Sequence, residues 1–171
     1  MRRIALACFV VSASAAFGGN MSLTLTGLPA VQLTGFSTGA SMPATISTGG
    51  GASAGKVTFK EFTFKATESA ATPTLMAKLA GGAHIAAATV QVRSTDGTQL
   101  VAQWDLADVL VTSVDIANGA ADPKSKDATF FATPETAFSL AFAKYCYKVF
   151  AADGTTVASQ MCWNLETNSA A

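Results

Sequence analysis

Along most of the chain, apolar and polar side chains alternate in short runs separated by Gly, Ser, Thr and Asp clusters. Runs of this kind predict half-buried strands, because successive side chains of an extended backbone point to opposite faces. Ser22 to Leu28 and Val31 to Phe36 open the series. The stretch from Ser37 to Gly55, rich in Gly, Ser and Thr, reads as a long loop with room for one strand, and such a loop in an assembling protein can reach a neighbour. Val57 and Phe59 share one face, whereas Phe62 and Phe64 continue in the opposite phase. A bulge near Lys60-Glu61 reconciles them.

Further along, Val90 and Val92, the Asp96-Gly97 turn, and Leu100, Ala102, Trp104 and Leu106 predict a hairpin. Asp108 to Ile116 predicts another strand, and Asn118 to Asp127 a solvated loop. Ala137 to Phe150 and Thr155 to Leu165 predict a long terminal hairpin. Simple alternation puts Phe138, Leu140 and Phe142 on one of its faces and Tyr145, Tyr147 and Val149 on the other, so both faces need cover. Helical spacing occurs once. Thr72-Pro73, then Leu75, Met76 and Leu79, then Gly81-Gly82 supply an N-cap, a proline in the first turn and a glycine stop. The apolar side of that helix is expected to cover an end or edge of the sheet. The fold class is all-β with one short helix: a small β-barrel or two-sheet antiparallel sandwich.

Length and composition add to this picture. The 171 residues suit one domain, and only 13% are charged against 50% hydrophobic, so the surface is largely neutral. Eleven basic and eleven acidic residues cancel, and no field draws in nucleic acid or anionic lipid. Met1-Arg2-Arg3, the apolar run Ile4 to Val11 and the small residues Ser12 to Ala16 have the order of a secretory leader. Ala13-Ser14-Ala15 places cleavage near Ala15 or Ala16, giving a leader at 1–16 and a single domain at 17–171. That run is too short to span a membrane. The chain is therefore expected outside the cytoplasm, secreted or periplasmic; translation from Met21 would instead leave it in the cytoplasm. Cys8 after Leu6-Ala7 is a poor lipobox, since it leaves too short an apolar run.

Cys8 departs with the leader, leaving Cys146 and Cys162 on either side of the Asp153-Gly154 turn. In an oxidising compartment they are a candidate disulfide, with two free buried thiols as the alternative. Little else carries chemistry. Gly50 to Lys56 matches most of a phosphate loop, but Val57 replaces the required hydroxyl and a strand follows instead of a helix. His84 is the single histidine, with no nucleophile motif and no ligand set for zinc, and a place beside the helix C-terminus suits it. Glu61, Glu68, Asp105, Asp108 and Asp115 could pair as glycosidase acids only if the fold gathered them. Trp104, Trp163, Tyr145 and Tyr147 offer either a binding platform or packing, packing being the commoner use. No catalytic, cofactor or metal site is expected.

Four segments in order resemble the Hcp family, the inner-tube component of type VI secretion. They are Ser69-Ala70-Ala71-Thr72-Pro73-Thr74-Leu75 with Gly82, His84, Ile85 and Ala88; Leu106 to Ser113; Pro134-Glu135 through Phe138-Ser139-Leu140 to Lys144 and Tyr145; and Asp153-Gly154 with Trp163-Asn164 and Asn168. The resemblance spans Phe36 to Asn168. It implies a small barrel with one flanking helix, six-membered rings stacked into a hollow tube, and as partners further copies of the chain, a spike protein and small effector cargo. The family is typically leaderless and commonly has Asp where Asn164 stands. The alternative function is a monomeric secreted β-domain that binds a glycan or a protein.

Overall fold

The computed structural model describes residues 20–46, 52–117 and 134–171. The leader at 1–16 and the loop from Asn118 to Asp127 lie outside them. Among the described residues, ten strands and one helix follow in chain order: β1 Met21–Leu25, β2 Val31–Ser41, β3 Ala44–Ile46, β4 Ala52–Ala54, β5 Thr58–Thr67, α1 Thr72–Gly81, β6 Ile85–Arg93, β7 Leu100–Ala117, β8 Glu135–Phe150, β9 Val157–Asn164 and β10 Ser169–Ala170. Antiparallel pairing runs β8-β5-β2-β1-β6-β7, and β7 pairs with β8 to close a barrel. β9 and β10 extend from β8 beyond the closed part.

Inward side chains fill the barrel with Leu23, Leu25, Val31, Leu33, Phe62, Phe64, Val90, Leu106, Val109, Phe138 and Leu140, all buried. The bulge expected near Lys60-Glu61 is present. Ser37 pairs with Thr63 but Gly39 with Lys60, so one extra residue on β5 lets Phe59 and Phe62 face the same way.

The same spacing recurs where the fold departs from simple alternation. Phe142 and Tyr145 are three apart, as are Leu106 and Val109 on the facing strand, and all four point into the core. Ala143-Lys144 and Ala107-Asp108 are the outward pairs between them, with Asp108 at φ 53°. Both strands change phase together, so the terminal hairpin has one apolar face and not the two expected. At this point β8 also changes neighbours, from β5 at Glu135 to Leu140 to β9 at Lys144 to Phe150. The further strand expected to start at Asp108 is the continuation of β7.

The presumed long loop is largely structured. β2 runs on through Gly39 and Ser41 against β5, and β3 pairs with β4 in a short arm beyond them. Small Gly, Ser and Thr side chains give weak strand signals, and the ladder along β5 overrides them. Helix α1 joins β5 to β6 and buries Ala71 and Leu75 in the core, so it covers one end of the barrel. Thr72 is not its N-cap. That hydroxyl lies 3.3 Å from Thr136 Oγ1, which donates to Glu68 Oε2 at 2.6 Å, while Ala71 holds the cap position without a side-chain bond.

At the other end, two turns carry their own anions. Asp96 accepts from the Ser94 hydroxyl, the Thr98 N–H at 3.0 Å and the Thr98 hydroxyl at 2.8 Å. Asp153 accepts from the Thr156 hydroxyl, the Thr156 N–H at 2.8 Å and the Thr155 N–H at 2.9 Å. These bonds favour the charged form, led by Ser94 and Thr156 respectively, and each carboxyl is lowered from 3.8 to about 2. Their stabilisation is thus complete above 3.8 and is lost as pH falls through about 2. Denaturation midpoints followed through that window should fall less steeply for an Asp96→Asn/Asp153→Asn double variant than for the parent chain.

Candidate functional site

The residues with chemical potential are dispersed, and most have a partner of their own. His84 follows two residues after the helix C-cap at Gly82, and its side-chain partner is Asp108. Gly82, at φ 58°, and Ala83 donate their N–H groups to Leu79 and Lys78 there, leaving His84 to donate from Nδ1 to Asp108 Oδ1 at 2.6 Å on an exposed surface. Glu61 accepts from Thr112 at 2.7 Å, and Glu68 from Thr136. Asp105 accepts from Lys148 at 2.7 Å, from Gln103 and from Thr89; burial raises its pKa, but these donors together outweigh burial and hold it below the usual carboxylate range. Asp115 lines a small hollow with Lys65 and Glu135. Lys56 leads into strand β5 and not into a helix, which leaves the glycine-rich segment without the dipole that phosphate binding needs. Among the described residues no three His, Cys, Asp or Glu side chains are gathered to hold a metal, and no helix is long and apolar enough to cross a membrane.

Three of the four platform aromatics belong to the core. Trp104 stacks on Tyr147 with centroids 4.6 Å apart, meets Phe36 edge-on at 5.0 Å, and donates from Nε1 to the Tyr145 hydroxyl at 3.2 Å. Tyr145 is only 8% exposed and its hydroxyl pKa is raised by burial. Trp163, paired across strands with Tyr145, lies 6.4 Å from Phe59 beside a cleft that also includes Lys56, Leu165 and Asn168. These rings close the end of the barrel opposite α1. Cys146 and Cys162 are direct partners in the β8–β9 ladder, with Cα atoms 4.0 Å apart, and the structure joins them as a disulfide.

What the surface does offer is backbone. From Leu33 onward β2 pairs only with β5, so its other edge is open among the described residues. The outer edge of β9 is open before Cys162, whose carbonyl accepts from the Ala171 N–H at 3.2 Å where the chain end pairs along it. Neither strand has a charged side chain or a proline, the usual guards of an exposed edge. Val157 and Met161 are exposed on β9, and Met42 between β2 and the arm. Such a surface suits strand-to-strand contact with other chains, and nothing in the sequence pattern had singled out the edges.

The family model for the type VI secretion system effector Hcp matches residues 29–148. No curated protein sequence matches the chain. Among solved structures, Hcp1 from Salmonella typhimurium is similar at a TM-score of 0.70 and 16% identity, over 88% of this chain and 97% of that one. A structure described as a type six secretion system protein is similar at a TM-score of 0.72 and 15% identity, over 88% and 98%. A type VI secretion system effector from Yersinia pestis is similar at 0.63 and 15%, over 84% and 98%. The structural likenesses agree with the barrel, and the match over most of its length shows that this chain belongs to the Hcp family of type VI secretion.

Proposed function

We propose that the chain is an exported, non-enzymatic subunit that assembles with copies of itself into six-membered rings, which stack into a hollow tube able to carry small effector cargo and to meet a spike protein at its tip. The family match over residues 29–148 carries this reading. The open, uncharged edges of β2 and β9 support it, as does the β3–β4 arm. Two different open edges on one chain favour head-to-tail contacts, which close into a ring when the rotation permits. Low surface charge fits a subunit whose flanks are covered in the assembly. Export follows from the leader, with the mature chain beginning near Phe17.

Protein recovered from periplasm or medium should begin near Phe17 and appear in negative-stain images as rings with a central hole. Protein confined to the cytoplasm and beginning at Met21 would contradict export, and particles without a hole would contradict the ring.

A further inference from the structure

The C-terminal ribbon, β9 with β10, is held unlike the rest of the molecule. Val157 to Met161 are exposed on both faces, Cys162 to Asn164 are only half-buried, and Leu165 beyond them packs against the core. Apart from the ladder to β8, the covalent tie in this ribbon is Cys146–Cys162, which closes a loop of 16 residues in sequence separation. A cross-link over a loop of this length stabilises the closed form by roughly a hundredfold.

The surroundings of Cys146 favour reduction. Lys144, Cys146 and Lys148 alternate on the outward face of β8, and Asp105 faces Cys146 across the β7–β8 ladder. Asp105 is committed to Lys148 at 2.7 Å. Lys144 lines the same hollow as Cys146 and forms no salt bridge among the described residues. That hollow, of about 330 Å3, is also lined by Ala87, Asp105 and Ala107 and opens to the surface. A nearby cation stabilises a thiolate and makes it the better leaving group.

We propose that Cys146–Cys162 is a redox clasp, closed in an oxidising compartment and opened by a small dithiol, that fixes the C-terminal ribbon on β8. One thiolate of the dithiol attacks Cys162 Sγ, the S–S bond breaks, and its electron pair leaves on Cys146 Sγ beside Lys144. The second dithiol sulfur then displaces Cys162. The dithiol becomes a cyclic disulfide, and two electrons and two protons end on the two cysteines. Opening the clasp loosens the outer edge of β8 between Lys144 and Phe150, where β9 is paired in the closed form.

Hydrogen exchange of the whole mature chain, with and without dithiothreitol, tests this in rings or in monomers alike and so does not depend on the assembly reading. Exchange at Val157 to Asn164 should rise by roughly a hundredfold on reduction, while Leu23, Phe64 and Val90 stay protected. Reoxidation should restore the original pattern. The Lys144→Gln chain should be reduced a few-fold more slowly. A Cys146→Ser/Cys162→Ser chain should show the fast exchange without reductant; if that variant does not fold, the reduced parent chain decides. Unchanged exchange in β9 on reduction, or an equal rise throughout the barrel, would overturn the clasp.

Discussion

Replacing Phe64 by alanine is expected to destabilise the chain by about 3–5 kcal/mol, the usual result of removing a buried phenylalanine ring. Phe64 is fully buried and stands between two other rings: Phe62 at 5.5 Å and Phe138 at 5.1 Å, both stacked. Phe62 and Phe64 lie on β5, and Phe138 lies on β8 directly opposite Phe64. The three therefore join two strands of the closed barrel. In a close-packed interior the surroundings relax only in part, so a cavity remains. Since a domain holds only about 5–15 kcal/mol in total, much of the stability goes. Denaturant titrations at matched protein concentration measure the loss, with Phe59→Ala, whose ring is only partly buried, expected to lose less.

Gly154→Ala is the second large effect. Gly154 has φ +67°, and a Cβ built there would stand 2.9 Å from Gln99 Cα and 3.0 Å from the Leu100 backbone nitrogen. Here the β8–β9 turn lies directly on the β6–β7 turn, and backbone cannot yield as a side chain can. The cost combines left-handed strain with overpacking, about 2 kcal/mol or more. Gly82→Ala is the matched control. Its φ is +58° but nothing lies within 4 Å of the added carbon, so only the left-handed cost of roughly 1–2 kcal/mol remains. Equal losses for the two variants, read from the same titration, would rule out the close approach of the turns as a cause.

These two residues also show how far the sequence alone carries. Alternation placed Phe64 inward, and Phe59 to Phe62 revealed a bulge because Lys60 and Glu61, both polar, sit between them. The same three-residue spacing occurs at Leu106 to Val109 and Phe142 to Tyr145, but small Ala107 and Ala143 sit beside the charged residue and blur the break. A second signal, one bulge facing another, needs the pairing of β7 with β8. That pairing is a long-range fact. The Thr72-Pro73 and Gly82 signals located the helix to within a residue. They could not show that the Thr72 hydroxyl is drawn to Thr136, 64 positions away. His84, just before β6, likewise found Asp108 on the adjacent strand β7, 24 positions away, which composition cannot reveal. The open edges of β2 and β9 were illegible for a related reason. An edge is defined by which strand fails to arrive beside it.

The assembly itself is most directly measured by sedimentation of the mature, exported chain in solution. A species of about six times the single-chain mass, persisting on dilution, is the expected result. A single-chain mass across the same concentrations would contradict the ring and leave a monomeric secreted member of the family in its place.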